Sequence, residues 1–310
     1  MRSEQAAIAH LKAVFQGGRT QTDEVEIGDD AAIFAAPKNG RLVWTVDEQV
    51  QNTHFRAEWL SWHDVGWRSF VAAASDIGAM GGVPKRALSA IALPPDFRDE
   101  DFDALIRGQA DAAAEVGAAI VGGNLSRARE AHVVTTVLGV AERPILRSGA
   151  QVGDDVYVAG SVGLAGTGLR ALERHIASAL LESAVLAWRR PTPRFEASAK
   201  MTAVATSAID VSDGLARDLS HVALASGVRI ALDEAALLAH GDFYGVTSAA
   251  ALLEENPLEA LLFGGEDYAL VVTSKSPIPG FFRIGSVCAG EGVTLGESLI
   301  SPMGFDHFAS

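Results

Sequence analysis

The stretch AIDVSDGLARDL, Ala208 to Leu219, reads as an apolar strand that stops at Asp210, a short polar turn and a helix. Ser212 has the side chain of an N-cap residue, and Asp213 then falls in the first turn of a helix running to Ser226. Asp213 and Arg217 are spaced i,i+4, so a local ion pair accounts for both of them. Asp210 gains nothing from that pair. Carboxylates beside a helix N-terminus can hold a cation while the free N–H groups receive a phosphate. A structural pair and a cation–phosphate site both remain open on this stretch alone.

The surrounding sequence repeats the strand–helix alternation. DVYVAG, VRIAL, YALVVT and FFRIGSV read as strands of the second half, and GLAGTGL leads into a helix around Ala171. In the first half, strands are expected at 31–34, 41–46, 86–93, 118–121 and 132–140. Helices are expected from Asp64 to Met80 and from Phe102 to Val116, the second closed by Gly117. This alternation implies layered α/β architecture. The turn-rich RSGAQVGDD places a boundary near residue 147, giving domains 1–147 and 148–310.

Of the 310 residues, 48% are hydrophobic and 21% charged, which is globular composition. The net charge of −14 repels nucleic acid and anionic membranes. The single cysteine, Cys288, excludes an intrachain disulfide and reads as a small buried hydrophobe. The N-terminal segment is amphipathic, without the apolar core of a signal peptide, so a cytoplasmic location is expected.

Further acids stand at strand ends and in apolar surroundings. GDDAAIF puts Asp30 in a turn before a strand, and TVDEQ puts Asp47 at a strand exit. Asp76, within FVAAASDIGAMGG, is expected to be buried and therefore paired, hydrogen-bonded or metal-bound. GGEDYALVV carries Glu266 and Asp267 after a double glycine, where a polar turn fits equally well. In VGGNLSRA a Gly-Gly turn would let backbone approach a ligand, and it ends on Asn124. His54, in NTHF, fits a surface or core residue as well as a ligand. Oxygen-only clusters suit Mg²⁺, which usually bridges carboxylates to substrate phosphates. There is no GxxxxGK[ST] loop and no kinase-type glycine loop. The residues alone read as an Mg²⁺-dependent, phosphate-handling α/β enzyme.

In order along the chain, EIGDDAAIF, TVDEQVQNTHF, SDIGAMGG, VGGNLSRA, RSGAQVGD, RPTPR, AIDVSDGLARDL, GGEDYAL and GFDHF resemble the thiamine-monophosphate kinase family. That family belongs to the superfamily of aminoimidazole ribonucleotide synthetase and selenophosphate synthetase. The resemblance implies a two-domain fold whose N-terminal sheet joins a partner's in a dimer barrel. It implies direct phosphoryl transfer from ATP to thiamine monophosphate, assisted by several Mg²⁺ ions and without a covalent nucleophile. Carried over by position, Asp30, Thr45, Asp47, Asp76, Asp210 and Asp213 would hold metal. Gly123, Asn124, Arg147 and Ser212 would contact nucleotide, and His54, Glu266 and Phe305 would contact thiamine monophosphate. Two residues depart from the pattern. Asn124 stands where the family usually has a metal-binding aspartate, and Val46 replaces a hydroxyl residue, both expected in the metal–nucleotide region. A relative with another phosphoryl acceptor, or a non-catalytic binder of nucleotide or thiamine phosphate, is the competing reading. Selenophosphate synthetase chemistry needs a reactive cysteine near the N-terminus, which Cys288 does not provide.

Overall fold

The computed structural model describes residues 4–16, 27 and 36–304. The chain divides into two compact units, one comprising 1–77 and 82–142, the other 78–81 and 143–310. Among the described residues each unit is built on one sheet flanked by helices, the mixed α/β class that the alternation implies.

The first unit contains α1 (Glu4–Gln16), β1 (Arg41–Val50), α2 (Trp62–Ala79), β2 (Val83–Leu93), α3 (Asp99–Glu115), β3 (Ala119–Arg127) and β4 (His132–Ala141). Its strand order is β1-β4-β2-β3; only β2 and β3, joined through α3, run parallel. The β4 strand alternates strictly between buried and half-buried residues, so one sheet face is covered. Helix α2 lies on that face: Ile77 sits where a side chain at Gly139 of β4 would stand. Helices α2 and α3 cross at glycines. A Cβ on Gly66 would lie 2.0 Å from the Leu105 carbonyl oxygen, and one on Gly108 would lie 1.9 Å from that of His63. Neither position tolerates a side chain without separating the helices. Gly117, at φ +69°, follows α3 as the spacing predicts.

The opposite sheet face is apolar and open in this unit. Leu42, Trp44 and Val46 project from β1, and Val83 and Leu88 from β2; Trp44 is 73% exposed.

The expected turn at Gly122-Gly123 is instead the interior of β3. Gly123 has φ +156°, and a Cβ there would come within 1.8 Å of the Ser89 carbonyl oxygen. The β2–β3 register shifts at Ala87/Leu88, beside this contact. The glycine pair therefore serves strand packing across a bulge.

In the second unit the strands are β5 (Asp155–Ala159), β6 (Ser207–Val211), β7 (Arg229–Leu232), β8 (Ala269–Ser274), β9 (Phe282–Cys288), β10 (Gly292–Leu295) and β11 (Ser298–Leu299). The helices are α4 (Leu164–Glu173), α5 (Glu182–Arg189), α6 (Phe195–Met201), α7 (Leu215–Ser226), α8 (Glu234–Tyr244), α9 (Val246–Leu252) and α10 (Pro257–Phe263). The sheet order is β11-β10-β7-β9-β5-β8-β6, antiparallel except for β10 beside β7. Both faces are covered, which explains near-continuous apolar strands such as ALVVTS. Val156, Ile209 and Val271 share a core with α7, α8 and α10, while Tyr157, Ala208 and Val272 share one with Met201 of α6. Cys288 is a half-buried free thiol, more exposed than the small-hydrophobe reading implies.

Candidate active site

In the first unit, Thr45 and Asp47 lie on the helix-covered side of β1. The Thr45 hydroxyl donates to Asp76 Oδ2 over 2.5 Å, joining the strand to α2. Asp47 Oδ1 accepts from Gln49 Nε2 at 3.4 Å, and Gln49 Oε1 accepts from the fully buried Arg68 at the same distance. Asp76 is half-buried rather than buried, because it sits near the end of α2 on the side facing Thr45. Its carboxylate is thus both hydrogen-bonded and reachable by an ion.

Strand alternation turns Val46 the other way. Its side chain is 60% exposed on the outer face beside Trp44, so it does not join Thr45 and Asp47. The expectation that this departure alters the side chains of the metal region is corrected accordingly. His54 Nδ1 accepts the Val50 N–H at 2.9 Å, which fixes the ring just beyond β1. Asn124 is exposed on β3, paired with Ala90. Among the described strands β1 and β3 stand at opposite ends of the sheet order, three strand spacings or roughly 14 Å apart. Asp30 and Phe305 lie outside the described residues.

In the second unit, Asp210 is 5% exposed at the end of β6, opposite Leu270. Helix α7 begins at Leu215, two residues later than expected, with Gly214 rather than Ser212 at the N-cap. The reason is Asp218. Its Oδ2 accepts the backbone N–H groups of Ser212, Asp213 and Gly214 at 3.0, 3.1 and 3.1 Å. The cap therefore reaches back from within the helix, and the three residues ahead form a loop around one oxygen. The Asp213–Arg217 pair is present at 3.4 Å. Burial, with the nearby Asp210 and Asp213 charges, pushes the Asp218 carboxyl up to about 8.

The Glu266 segment packs against the same loop. The N–H of Glu266 donates to the Ser212 carbonyl at 2.7 Å, and that of Tyr268 to the Val211 carbonyl at 2.8 Å. A Cβ at Gly265 would come 2.5 Å from the Ser212 oxygen, so the double glycine allows this close approach. Glu266 Oε2 accepts the Tyr268 hydroxyl at 2.9 Å. The neighbouring Asp267 faces inward and accepts from the N–H groups of Gly163 and Ala165 at 2.6 and 2.9 Å, capping α4. Burial raises its carboxyl to about 7 despite these bonds. The Arg147 side chain is exposed. The Arg147 carbonyl accepts the Ser226 hydroxyl at 3.1 Å, which ties its backbone to the end of α7; burial first, then the charges of Arg147 and Arg217, hold His221 of α7 below its usual pKa.

Among the described residues, no three His, Cys, Asp or Glu side chains converge closely enough to cage a metal. An all-protein cage of the zinc type is thus not formed by them. Mg²⁺ is commonly held by one or two carboxylates and completed by water and substrate phosphates. Thr45, Asp47 and Asp76 in one unit, and Asp210 with Asp213 in the other, fit that chemistry. The negative charge gathered around Asp218 is what a cation would relieve.

Residues 28–141 match the family model described as AIR synthase related protein, N-terminal domain. The thiamine-monophosphate kinase of Mycobacterium tuberculosis is 38% identical over 301 residues, covering 94% of this chain and 88% of the relative. The chain belongs to the thiamine-monophosphate kinase family. The crystal structure of thiamine-monophosphate kinase from Stenotrophomonas maltophilia K279a is similar at TM-score 0.83 and 29% identity, covering 96% of this chain and 98% of that one. AaThiL complexed with AMPPCP and TMP is similar at TM-score 0.79 and 28% identity, covering 99% of both chains.

Proposed function

We propose that the chain transfers the γ-phosphoryl group of ATP to thiamine monophosphate, giving ADP and thiamine diphosphate. The observation that carries this is the oxygen-only corner of Thr45, Asp76 and Asp47, in a chain 38% identical to a thiamine-monophosphate kinase over 94% of its length. Mg²⁺ bound there and at Asp210 and Asp213 would neutralise phosphate charge. Asp30 belongs to the same proposed set.

The protein's own contribution is positioning. The nucleotide contacts in the second unit are the Ser212 side chain and the Arg147 guanidinium; those in the first unit are Gly123 and Asn124. His54, Glu266 and Phe305 hold thiamine monophosphate. No side chain acts as a covalent nucleophile, so the acceptor phosphate attacks directly. Asn124 keeps an oxygen donor but carries no charge, so it binds an ion more weakly than an aspartate.

The active species is a homodimer formed through the open apolar face bearing Leu42, Trp44 and Val46. An exposed patch of this kind marks an interaction surface. We further propose a cytoplasmic location, on the amphipathic character of the N-terminal segment.

The test is chromatographic detection of thiamine diphosphate from ATP and thiamine monophosphate across an Mg²⁺ series. Product that disappears in EDTA supports the reading. Turnover unchanged in EDTA removes the metal from it. Tight binding of both substrates without ADP release would support the non-catalytic alternative.

A further inference from the structure

Asp218 is absent from the set of residues that the sequence assigns to the site, and its geometry gives it a specific task. One oxygen, Oδ2, receives three consecutive backbone N–H groups, those of Ser212, Asp213 and Gly214. Asp218 is 3% exposed, and its own N–H donates to the Gly214 carbonyl at 3.0 Å, so side chain and backbone both close on the same segment. Removing an oxygen that accepts three buried N–H groups leaves each of those donors unsatisfied, which is costly whether the acid is ionised or neutral. The far side of the loop is held too, by Glu266 and Tyr268 N–H groups on the Ser212 and Val211 carbonyls.

We propose that Asp218 is a positioning residue, a buried clamp that fixes the loop carrying Ser212 and Asp213, next to Asp210, in the shape required to hold metal and nucleotide. It acts through backbone and touches neither ligand. The proposal rests on the functional reading above for what the loop binds, though not for the clamp itself.

Two variants test it. Asp218→Ala removes the acceptor; Asp218→Asn keeps one carbonyl oxygen in nearly the same place. In apo protein, amide exchange at 212–214 should be slow in wild type and at least roughly tenfold faster in Asp218→Ala, with Asp218→Asn intermediate. Mn²⁺ affinity in the presence of ATP, followed by electron paramagnetic resonance, should weaken roughly 10- to 100-fold in Asp218→Ala. Asp218→Asn should recover most of that loss. Unchanged exchange in Asp218→Ala overturns the clamp. An Asp218→Asn variant as defective in Mn²⁺ binding as Asp218→Ala also overturns it, since the charge itself would then be in use. Neither readout needs turnover. A wild-type protein that forms no thiamine diphosphate, yet gives the expected exchange and Mn²⁺ results, would refute the functional reading and leave the clamp standing.

Discussion

His240 lies on α8 with no measurable exposure, and among the described residues neither ring nitrogen has a hydrogen-bond partner. Its ring packs on Tyr244 and Phe282, with centroids at 4.8 and 5.2 Å. Burial lowers its pKa from 6.5 to about 4. The unfolded chain therefore takes up a proton near pH 6.5 that the folded chain refuses until about pH 4. Stability from this group is intact above pH 6.5 and lost progressively as pH falls towards 4. At pH 5 the bias towards the unfolded state is roughly 30-fold, or about 2 kcal/mol. For a unit of this size that corresponds to roughly 4–8 °C in Tm. His240→Leu removes the titration. It also removes two unpaired buried nitrogens and some aromatic contact, effects that oppose each other and leave a net change of about 1 kcal/mol or less at pH 7.5. The assay is denaturant unfolding of both proteins at pH 7.5 and pH 5.0. The wild type should lose about 2 kcal/mol more than the variant between the two pH values. Equal losses would mean that His240 is charged or partnered in the folded protein, contrary to its buried, neutral state.

Asp76→Asn should lower turnover roughly 100-fold or more while unfolding midpoints stay near wild type, since the Thr45 bond can persist; a near-normal rate removes Asp76 from the site. Val46→Thr should change kcat/KM by less than about threefold, because strand alternation turns that side chain to the outer face. Asn124→Asp should lower the Mg²⁺ concentration for half-maximal rate by roughly tenfold if the residue adjoins an ion, by adding a ligand charge. Gly123→Ala should destabilise by about 3 kcal/mol in thermal or denaturant unfolding, given the 1.8 Å approach to the Ser89 oxygen.

The sequence was most legible where one periodicity ruled. Alternating apolar residues in HVVTTVLGV gave β4 nearly to the residue, and the apolar spacing from Phe102 gave α3 and its closing glycine. It was least legible where a tertiary contact set the local conformation. Gly122-Gly123 resembled a turn because a neighbouring strand's carbonyl, invisible in the sequence, is what excludes a side chain there. Ser212 resembled an N-cap because caps are ordinarily sought ahead of a helix, whereas Asp218 reaches back from inside it. The available signal was an acid four residues after Gly214 that the Asp213–Arg217 pair left unexplained. Asp267 was likewise hidden beside Glu266, since adjacent residues in a turn can face solvent and core respectively. Val46 was misplaced by reading a motif as a unit, when alternate residues of a strand face opposite ways.

The proposed reaction moves the γ-phosphoryl group of ATP to thiamine monophosphate. Its most direct test is incubation with γ-³²P-labelled ATP, thiamine monophosphate and Mg²⁺, followed by separation of products. Direct transfer puts the label in thiamine diphosphate, with one ADP released for each molecule formed. Label that remains in ATP, or appears only as inorganic phosphate, would contradict it.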